Sequence, residues 1–279
     1  MGYEEHPRCV TPPDDTVVWR YIDFVKLIDL LENSRLWFTR VDSLDDPREG
    51  GLTDLELKQL QCAPPEVAEH NRYVFESSRR EIFVNCWTEN YESMAMWDLY
   101  AQTPGSVAVK STVGQLKRAL AGADSKFHIA RVEYLDWNTA PWPNNILVMS
   151  VRKVWSFIHE KEVRLITWLP ASSMPAIQEA RALTNLENAI REPLRACAPS
   201  DQQTWKRILN SARDDASLER ALPGFPIKTE AAGLIEEVIV GPRGRKWKEL
   251  VENILRRYDI DKPVRQSELT YSQNRVVDR

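Results

Sequence analysis

Phe157-Ile158-His159-Glu160-Lys161-Glu162-Val163-Arg164-Leu165-Ile166-Thr167-Trp168 decides how the chain is read, because it passes from a charged cluster straight into a β-branched and aromatic run. Side chains alternate with period two along a strand, so a strand over the whole stretch projects Glu160, Glu162 and Arg164 from one face. If 157–162 instead ends a helix, residues two apart diverge and the grouping dissolves. Two carboxylates beside a guanidinium form a candidate site. A solvated strand end with an ordinary Glu–Arg pair is the plainer alternative, since exposed pairs contribute little.

Outward from this stretch, apolar runs of strand length recur at 17–21, 36–41, 81–88, 105–111, 126–137, 234–240 and 263–269. Helical spacing separates them: Phe24, Leu27, Ile28 and Leu31 follow Asp23 as a cap, and further helices are expected over 54–61, 65–80, 113–120 and up to about 258. The expected fold is α+β, a central mixed, largely antiparallel sheet with flanking helices. Over 170–223 aromatic residues fall to Trp205 alone and Ala, Arg, Glu and Leu dominate. That segment is expected to be a helical insertion or lid, with 1–169 plus 224–279 as a single α+β domain.

The net charge of −4 excludes a globally basic nucleic-acid binder, so any such surface must be local. Cys9, Cys62, Cys86 and Cys197 show no CxxC spacing, which argues against a zinc site or a disulfide framework. No apolar run reaches membrane-spanning length and the N-terminus lacks a signal-peptide core. A cytoplasmic protein without a membrane partner is expected.

Four regions carry candidate chemistry. The loop Asp42-Ser43-Leu44-Asp45-Asp46-Pro47-Arg48-Glu49-Gly50-Gly51 places Asp45, Asp46 and Glu49 just after a strand that ends near Arg40. Asn85 is polar within an apolar strand and must find partners, as a structural bracket or as a site residue. Its neighbour Cys86 reads as a buried, inert thiol. Trp87 and Trp97 are candidates to receive a planar ring, although aromatics at this spacing more often fill a core. Last, Gly241-Pro242-Arg243-Gly244-Arg245-Lys246-Trp247-Lys248 sets Arg243, Arg245, Lys246 and Lys248 at a glycine turn entering a helix, a candidate phosphate grip without Walker spacing. From 243 to 265 eight basic residues face four acidic ones.

Trp19-Arg20-Tyr21, Leu36-Trp37-Phe38-Thr39-Arg40, Ser43-Leu44-Asp45-Asp46-Pro47-Arg48-Glu49-Gly50, Asn85-Cys86-Trp87, Ser93-Met94-Ala95-Met96-Trp97 and the central stretch resemble the bacterial family known as domain of unknown function 2971. That family name implies no activity. Its members look like inhabitants of mobile and phage-defence gene neighbourhoods, which makes phage DNA a candidate partner. Arg20, Ser111-Thr112 and Glu160-Lys161-Glu162 also occur in the order of the ADP-ribosyltransferase-like fold. There, an Arg or His, a Ser/Thr motif and a Glu-x-Glu surround a nicotinamide ribose. Lys110-Ser111-Thr112 departs from the usual Ser-Thr-Ser.

Three functions compete on these residues. The first is cleavage of an N-glycosidic bond at ribose or deoxyribose C1′. Carboxylates stabilise the oxocarbenium-like cation and handle the leaving base or the attacking water. Here Glu160, Glu162, Asp46 and Asn85 are the catalytic candidates, and Arg20, Arg40, Asp45, Glu49, Trp87, Trp97 and Arg164 the substrate-binding ones. The substrate is nucleic acid, attacked by a base-excising glycosylase, or NAD, used for ADP-ribosyl transfer. No cofactor is required, NAD entering only as substrate. The second is a metal-dependent nuclease using the same carboxylates. The third is a non-catalytic nucleic-acid-binding or sensor module.

Overall fold

The computed structural model describes residues 2–269 apart from 142, 144, 170–222 and 245. It divides into two compact units, 1–168 with 226–279, and 169–225. The helical character expected of 170–223 falls on residues outside those described. No helix among the described residues is long and apolar enough to cross a membrane.

The fold is α+β, built on a mixed ten-stranded sheet. The strands are β1 (Gly2–Tyr3), β2 (Val17–Ile22), β3 (Arg35–Arg40), β4 (Ile82–Thr88), β5 (Val107–Thr112), β6 (Lys126–Arg131), β9 (Glu162–Trp168), β10 (Gly224–Lys228), β11 (Glu237–Val240) and β12 (Val264–Gln266). Eight of them follow the order β1-β6-β9-β4-β2-β5-β11-β12, with β3 and β10 off this path. Pairing is antiparallel along the centre and parallel where β1 meets β6 and β11 meets β12. The run 126–137, expected as one strand, is two. β6 ends at Arg131, and β7 (Glu133–Leu135) pairs with β8 (Arg152–Val154) in a separate small sheet. Val132 makes the break by donating its backbone N–H to the Glu162 carbonyl, and Glu133 then donates to Val151.

Local rules set the helices. Asp23 accepts from the Lys26 backbone and caps α1 (Phe24–Asn33), which buries Leu27, Leu30 and Leu31. Thr53 and Glu56 close a reciprocal capping box on α2 (Asp54–Cys62), and Thr112 and Gln115 do so on α5 (Val113–Ala119). Pro65 opens α3 (Pro65–Glu81). The remaining described helices are α4 (Met94–Tyr100), α6 (Ile146–Met149), α7 (Ala231–Leu234) and α8 (Lys248–Arg257). Ser93 precedes α4 without a side-chain cap bond.

Strand parity sorts the core. Trp19, Tyr21, Ala108 and Ile239 share one face and pack with Met96, Trp97 and Ala101 around α4. Farther along that face Ile82, Val84, Ala130 and Ile166 pack with Val148 and Val151 beside α6. Between these two apolar clusters, on the same face, lie Cys86, Thr88, Glu162 and Arg164. The opposite face carries Arg20, Asn85, Trp87 and Val109.

Candidate functional site

The central stretch is neither one strand nor a helix end of the ordinary kind. Trp155–Glu160 forms a 3-10 helix, Lys161 takes a left-handed backbone (φ 42, ψ 52), and β9 begins at Glu162. That single residue turns the chain so that Glu160, arriving from a helix, and Glu162, leaving on a strand, still converge. The Thr88 hydroxyl fixes the junction by donating to the Glu160 carbonyl at 2.5 Å, and the Tyr134 hydroxyl accepts from the Glu162 backbone at 2.8 Å.

Arg164 is completely buried between small cross-strand neighbours, Cys86 on β4 and Ala130 on β6, which leave room for its guanidinium. It lies 2.5 Å from Glu162 Oε2, donates to the Ser150 carbonyl at 2.7 Å, and its Nη2 also bonds Glu49. Lys153, from β8, joins the carboxylates: its Nζ stands 2.5 Å from Glu160, 3.1 Å from Glu49 and 3.6 Å from Glu162. The result is three buried carboxylates against two buried cations. A neighbouring pair, Arg152 and Glu56 at 3.1 Å, is equally buried and ties β8 to the α2 capping box. Burial acts against the charge of Glu162, but Arg164 and Lys153 outweigh it and hold its pKa below the usual carboxylate value. Burial likewise opposes the Lys153 ammonium, and Glu162 and Glu49 more than offset this, keeping its pKa above the ordinary lysine value. The Cys86 thiol is pushed up to about 12 by burial and then by Glu162, so it stays protonated and inert.

The cluster has one partly open end. Tyr100 donates to Glu160 Oε1 at 2.8 Å while 43% of the residue remains exposed. Burial and then the Glu160 charge raise its pKa above the usual tyrosine value, so the hydroxyl stays a donor. Leu99 beside it, and Trp155 and Ile158 on the 3-10 helix that delivers Glu160, are also exposed.

The other expected site residues divide. The acidic loop does reach the cluster, through Glu49; Gly50, left-handed at φ 65, turns the chain immediately after it. Asp46 bonds its own turn, accepting from the Arg48 backbone at 3.0 Å, and Asp45 is exposed. Arg40 pairs with Asp42 at 2.5 Å. Asn85 acts as a bracket on the opposite sheet face, donating to the Trp37 carbonyl at 2.8 Å and accepting from the Trp87 indole at 2.7 Å. Arg20 lies on that face too, its Nη1 2.7 Å from the Cys86 carbonyl. Its parity separates it from Glu162, so the sheet does not bring Arg20, Asn85 and the Glu pair to one pocket. Ser111 shares the Arg20 face, but its hydroxyl is spent on the Leu234 carbonyl, and Thr112 caps α5. Trp87 and Trp97 are core residues, Trp97 packed edge-on against Tyr21 at 4.8 Å between ring centroids. At the basic turn, Arg243 bonds Asp98 at 2.7 Å, Lys248 stands 3.6 Å from Glu252, and Lys246 is exposed. Arg245 is outside the described residues. Trp247 meets Phe24 edge-on and lies over Gly105, where a Cβ would come within 2.7 Å of the ring, so it anchors α8 in the fold.

Sequence reasoning missed Lys153, Tyr100, Tyr134 and the Arg152–Glu56 pair. An Arg-Lys dipeptide carries no signal for burial. It becomes legible only once β8 is placed against the face that holds Glu162.

No family model and no curated protein matches the chain, so the expected membership in the domain of unknown function 2971 family has no matching model behind it. Among solved structures, Thermus sp. 2.9 DarT in complex with ADP-ribosylated ssDNA aligns over 92% of this chain and 96% of that chain, at 11% identity and a TM-score of 0.37. A likeness at that level bears on neither the chemistry nor the residues of the site.

Proposed function

We propose that the protein breaks an N-glycosidic bond at a ribose or deoxyribose C1′, with Glu160 as the carboxylate that faces the developing sugar cation. The observation that carries this is the convergence at Glu160. One of its oxygens is fixed by Lys153, the other meets the half-exposed Tyr100 hydroxyl, and exposed apolar and aromatic side chains flank it. A fixed carboxylate stabilises an oxocarbenium-like transition state without reorganising at the moment of reaction. Glu162, ionised and locked by Arg164, adds negative potential behind it, while Trp155 and Tyr100 offer surface for the leaving base. The substrate class is NAD or a base in nucleic acid. Lys153 and Arg164 already fill the space between the carboxylates, which favours this reading over a metal-dependent nuclease. No group of three or more candidate metal ligands occurs among the described residues.

A second reading is favoured by the depth of the cluster. Glu49, Glu160 and Glu162 are each at most 8% exposed, as befits a charge network that fixes the fold of a non-catalytic module. One experiment separates the readings. The protein is incubated with NAD, and separately with single- and double-stranded DNA, with and without chelator, and released nicotinamide or free base is measured. Release that resists chelator and falls about 100-fold or more in a folded Glu160→Gln variant supports the glycosidic reading. A folded wild-type protein that releases neither product overturns it. Strand cleavage abolished by chelator restores the nuclease.

A further inference from the structure

The N-terminal segment lies along the edge of β6 that β9 leaves free. β1 pairs with Lys126 and Phe127, the Thr11 hydroxyl donates to the Ile129 carbonyl at 2.7 Å, and Arg131 donates its backbone N–H to the Val10 carbonyl at 2.9 Å. Cys9 packs against the apolar cluster beside α6. The segment also meets the loop before α6 at two points. Arg8 Nη2 donates to the Pro143 carbonyl at 2.7 Å, and the Asn145 amide faces His6 Nε2 at 3.5 Å. Residues 4–11 are thus strapped over β6, and His6 is the titratable side chain at the second point.

The surroundings of His6 hold no place for a second ring proton. The Arg8 backbone N–H donates to Nδ1 at 3.3 Å, so that nitrogen accepts. At Nε2 the Asn145 amide presents its NH2, because its oxygen caps α6 by accepting from the Val148 N–H at 3.3 Å. Both neighbours are therefore donors. A neutral imidazole satisfies one of them; an imidazolium, with a donor on each nitrogen, satisfies neither. His128 provides the contrast. Its Nδ1 stands 2.7 Å from the Glu4 carbonyl, which only accepts, so that bond survives protonation. Charge opposes a proton on His6 as well. The His6 and His128 rings meet edge-on, 5.2 Å between centroids, and Arg8 follows on the same segment. Glu4 is the carboxylate that acts on both rings, and it is already paired with Lys126 at 2.9 Å; α6 brings no ionisable side chain. Burial, then His128 and Arg8, hold the pKa of His6 below the usual histidine value, against a smaller pull from Glu4.

We propose that residues 4–11 form an acid-released strap, with protonation of His6 as the trigger. Below neutral pH the ring gains a proton that it cannot share, the Arg8 bond and the Asn145 contact are lost, and the segment detaches from the loop before α6. Release bares the edge of β6 and the apolar cluster under Cys9. Because His6 is held neutral in the folded strap, its contribution is complete above the unfolded histidine value of about 6.5 and is lost as pH falls through the lower folded value. That window opens above the one in which Glu162 titrates, so the strap and the carboxylate cluster respond to acid separately.

Hydrogen exchange of the full chain, followed by mass spectrometry at pH 7.5, 6.5 and 5.5 and corrected for the intrinsic rate, tests this. The Cys9, Thr11 and Arg131 amides, which donate to the His6, Cys9 and Val10 carbonyls, are expected to lose protection about tenfold or more from pH 7.5 to 5.5, while β4 keeps its protection. His6→Gln, which cannot gain a proton, is expected to keep the strap protected at pH 5.5. Titration of His6 followed by NMR needs no variant. Its midpoint is expected below about 6.5, at the pH where protection is lost. Equal protection at all three pH values in the wild-type protein overturns the strap. So does the same pH-dependent loss in a folded His6→Gln variant, or a His6 midpoint that does not coincide with the loss.

Discussion

The two faces of β4 and β9 handle charge in opposite ways. On one, Glu49, Glu160, Glu162, Lys153 and Arg164 satisfy one another in the dry space between two apolar clusters. On the other, partly buried Arg20 donates to the Cys86 carbonyl and pairs with no carboxylate among the described residues. The first group is withdrawn from water and internally compensated, whereas Arg20 keeps part of its surface in solvent. A compensated network resists change and fixes neighbouring elements relative to one another; a cation that keeps contact with water needs no such network. The difference teaches that it is full burial that demands a complete set of charged partners.

The largest expected effect breaks the compensated face. Arg164→Ala leaves Glu162 and Glu49 buried without their guanidinium and should lower stability by about 3–5 kcal/mol, measured as the shift of the urea midpoint at unchanged slope. A loss under about 1 kcal/mol would show the cluster to be wetter and weaker than its geometry implies. Removing Glu162 as well should recover part of the loss, because the double variant no longer strands that charge.

The next effect is the pH dependence of the same face. The pKa of Glu162 is lower folded than unfolded, so its contribution is complete above the unfolded value of about 4.3 and is lost as pH falls through the depressed folded value. Lys153 has the opposite sign. Its folded pKa is raised, so its contribution is complete below about 10.4 and is lost as pH rises toward the folded value. Stability from the cluster should therefore be flat between these limits. Glu162→Gln should flatten the acid limb in a denaturation series from pH 3 to 7, and an unchanged limb would assign the acid sensitivity elsewhere.

Smaller effects sharpen the contrast. Asn85→Ala leaves the buried Trp87 N–H unpaired and frees the Trp37 carbonyl, for a loss of about 2 kcal/mol. It should leave any activity at Glu160 unchanged; a parallel loss of activity in a folded variant would link the faces. Tyr100→Phe removes one hydrogen bond to a carboxylate at the open end and should reduce stability by about 1 kcal/mol or slightly more. Its effect on turnover should exceed its effect on the melting temperature if Glu160 is the reacting carboxylate. At the bottom of the scale, Lys248→Ala breaks only an exposed i,i+4 pair with Glu252 and should change stability by less than about 0.5 kcal/mol.

Much of the fold was legible because its signals are short-range. Asp23 ahead of an i, i+3, i+4 apolar pattern makes a capped helix wherever the chain goes, and Thr53 with Glu56 needs only three residues to close its box. Glu162 and Arg164 were bound to share a face because they are two apart on a strand. The anomaly of Asn85 was visible as well, though its role as bracket was decided by Trp37 from another strand.

The sequence by itself determined most of the longer strands and helices, the α+β class, and the fact that carboxylates and an arginine crowd the start of β9. Tertiary structure alone decided what they meet. The left-handed Lys161 lets Glu160 and Glu162 converge across a helix-to-strand junction, and neither period, 3.6 nor 2, describes such a junction. Glu49 reaches Arg164 across 115 positions and Lys153 comes from a different small sheet, contacts that no local pattern encodes. Register then put Arg20 on the far face from Glu162. A strand places its neighbours up or down by parity, so one residue of offset separates two groups that sequence order alone would join.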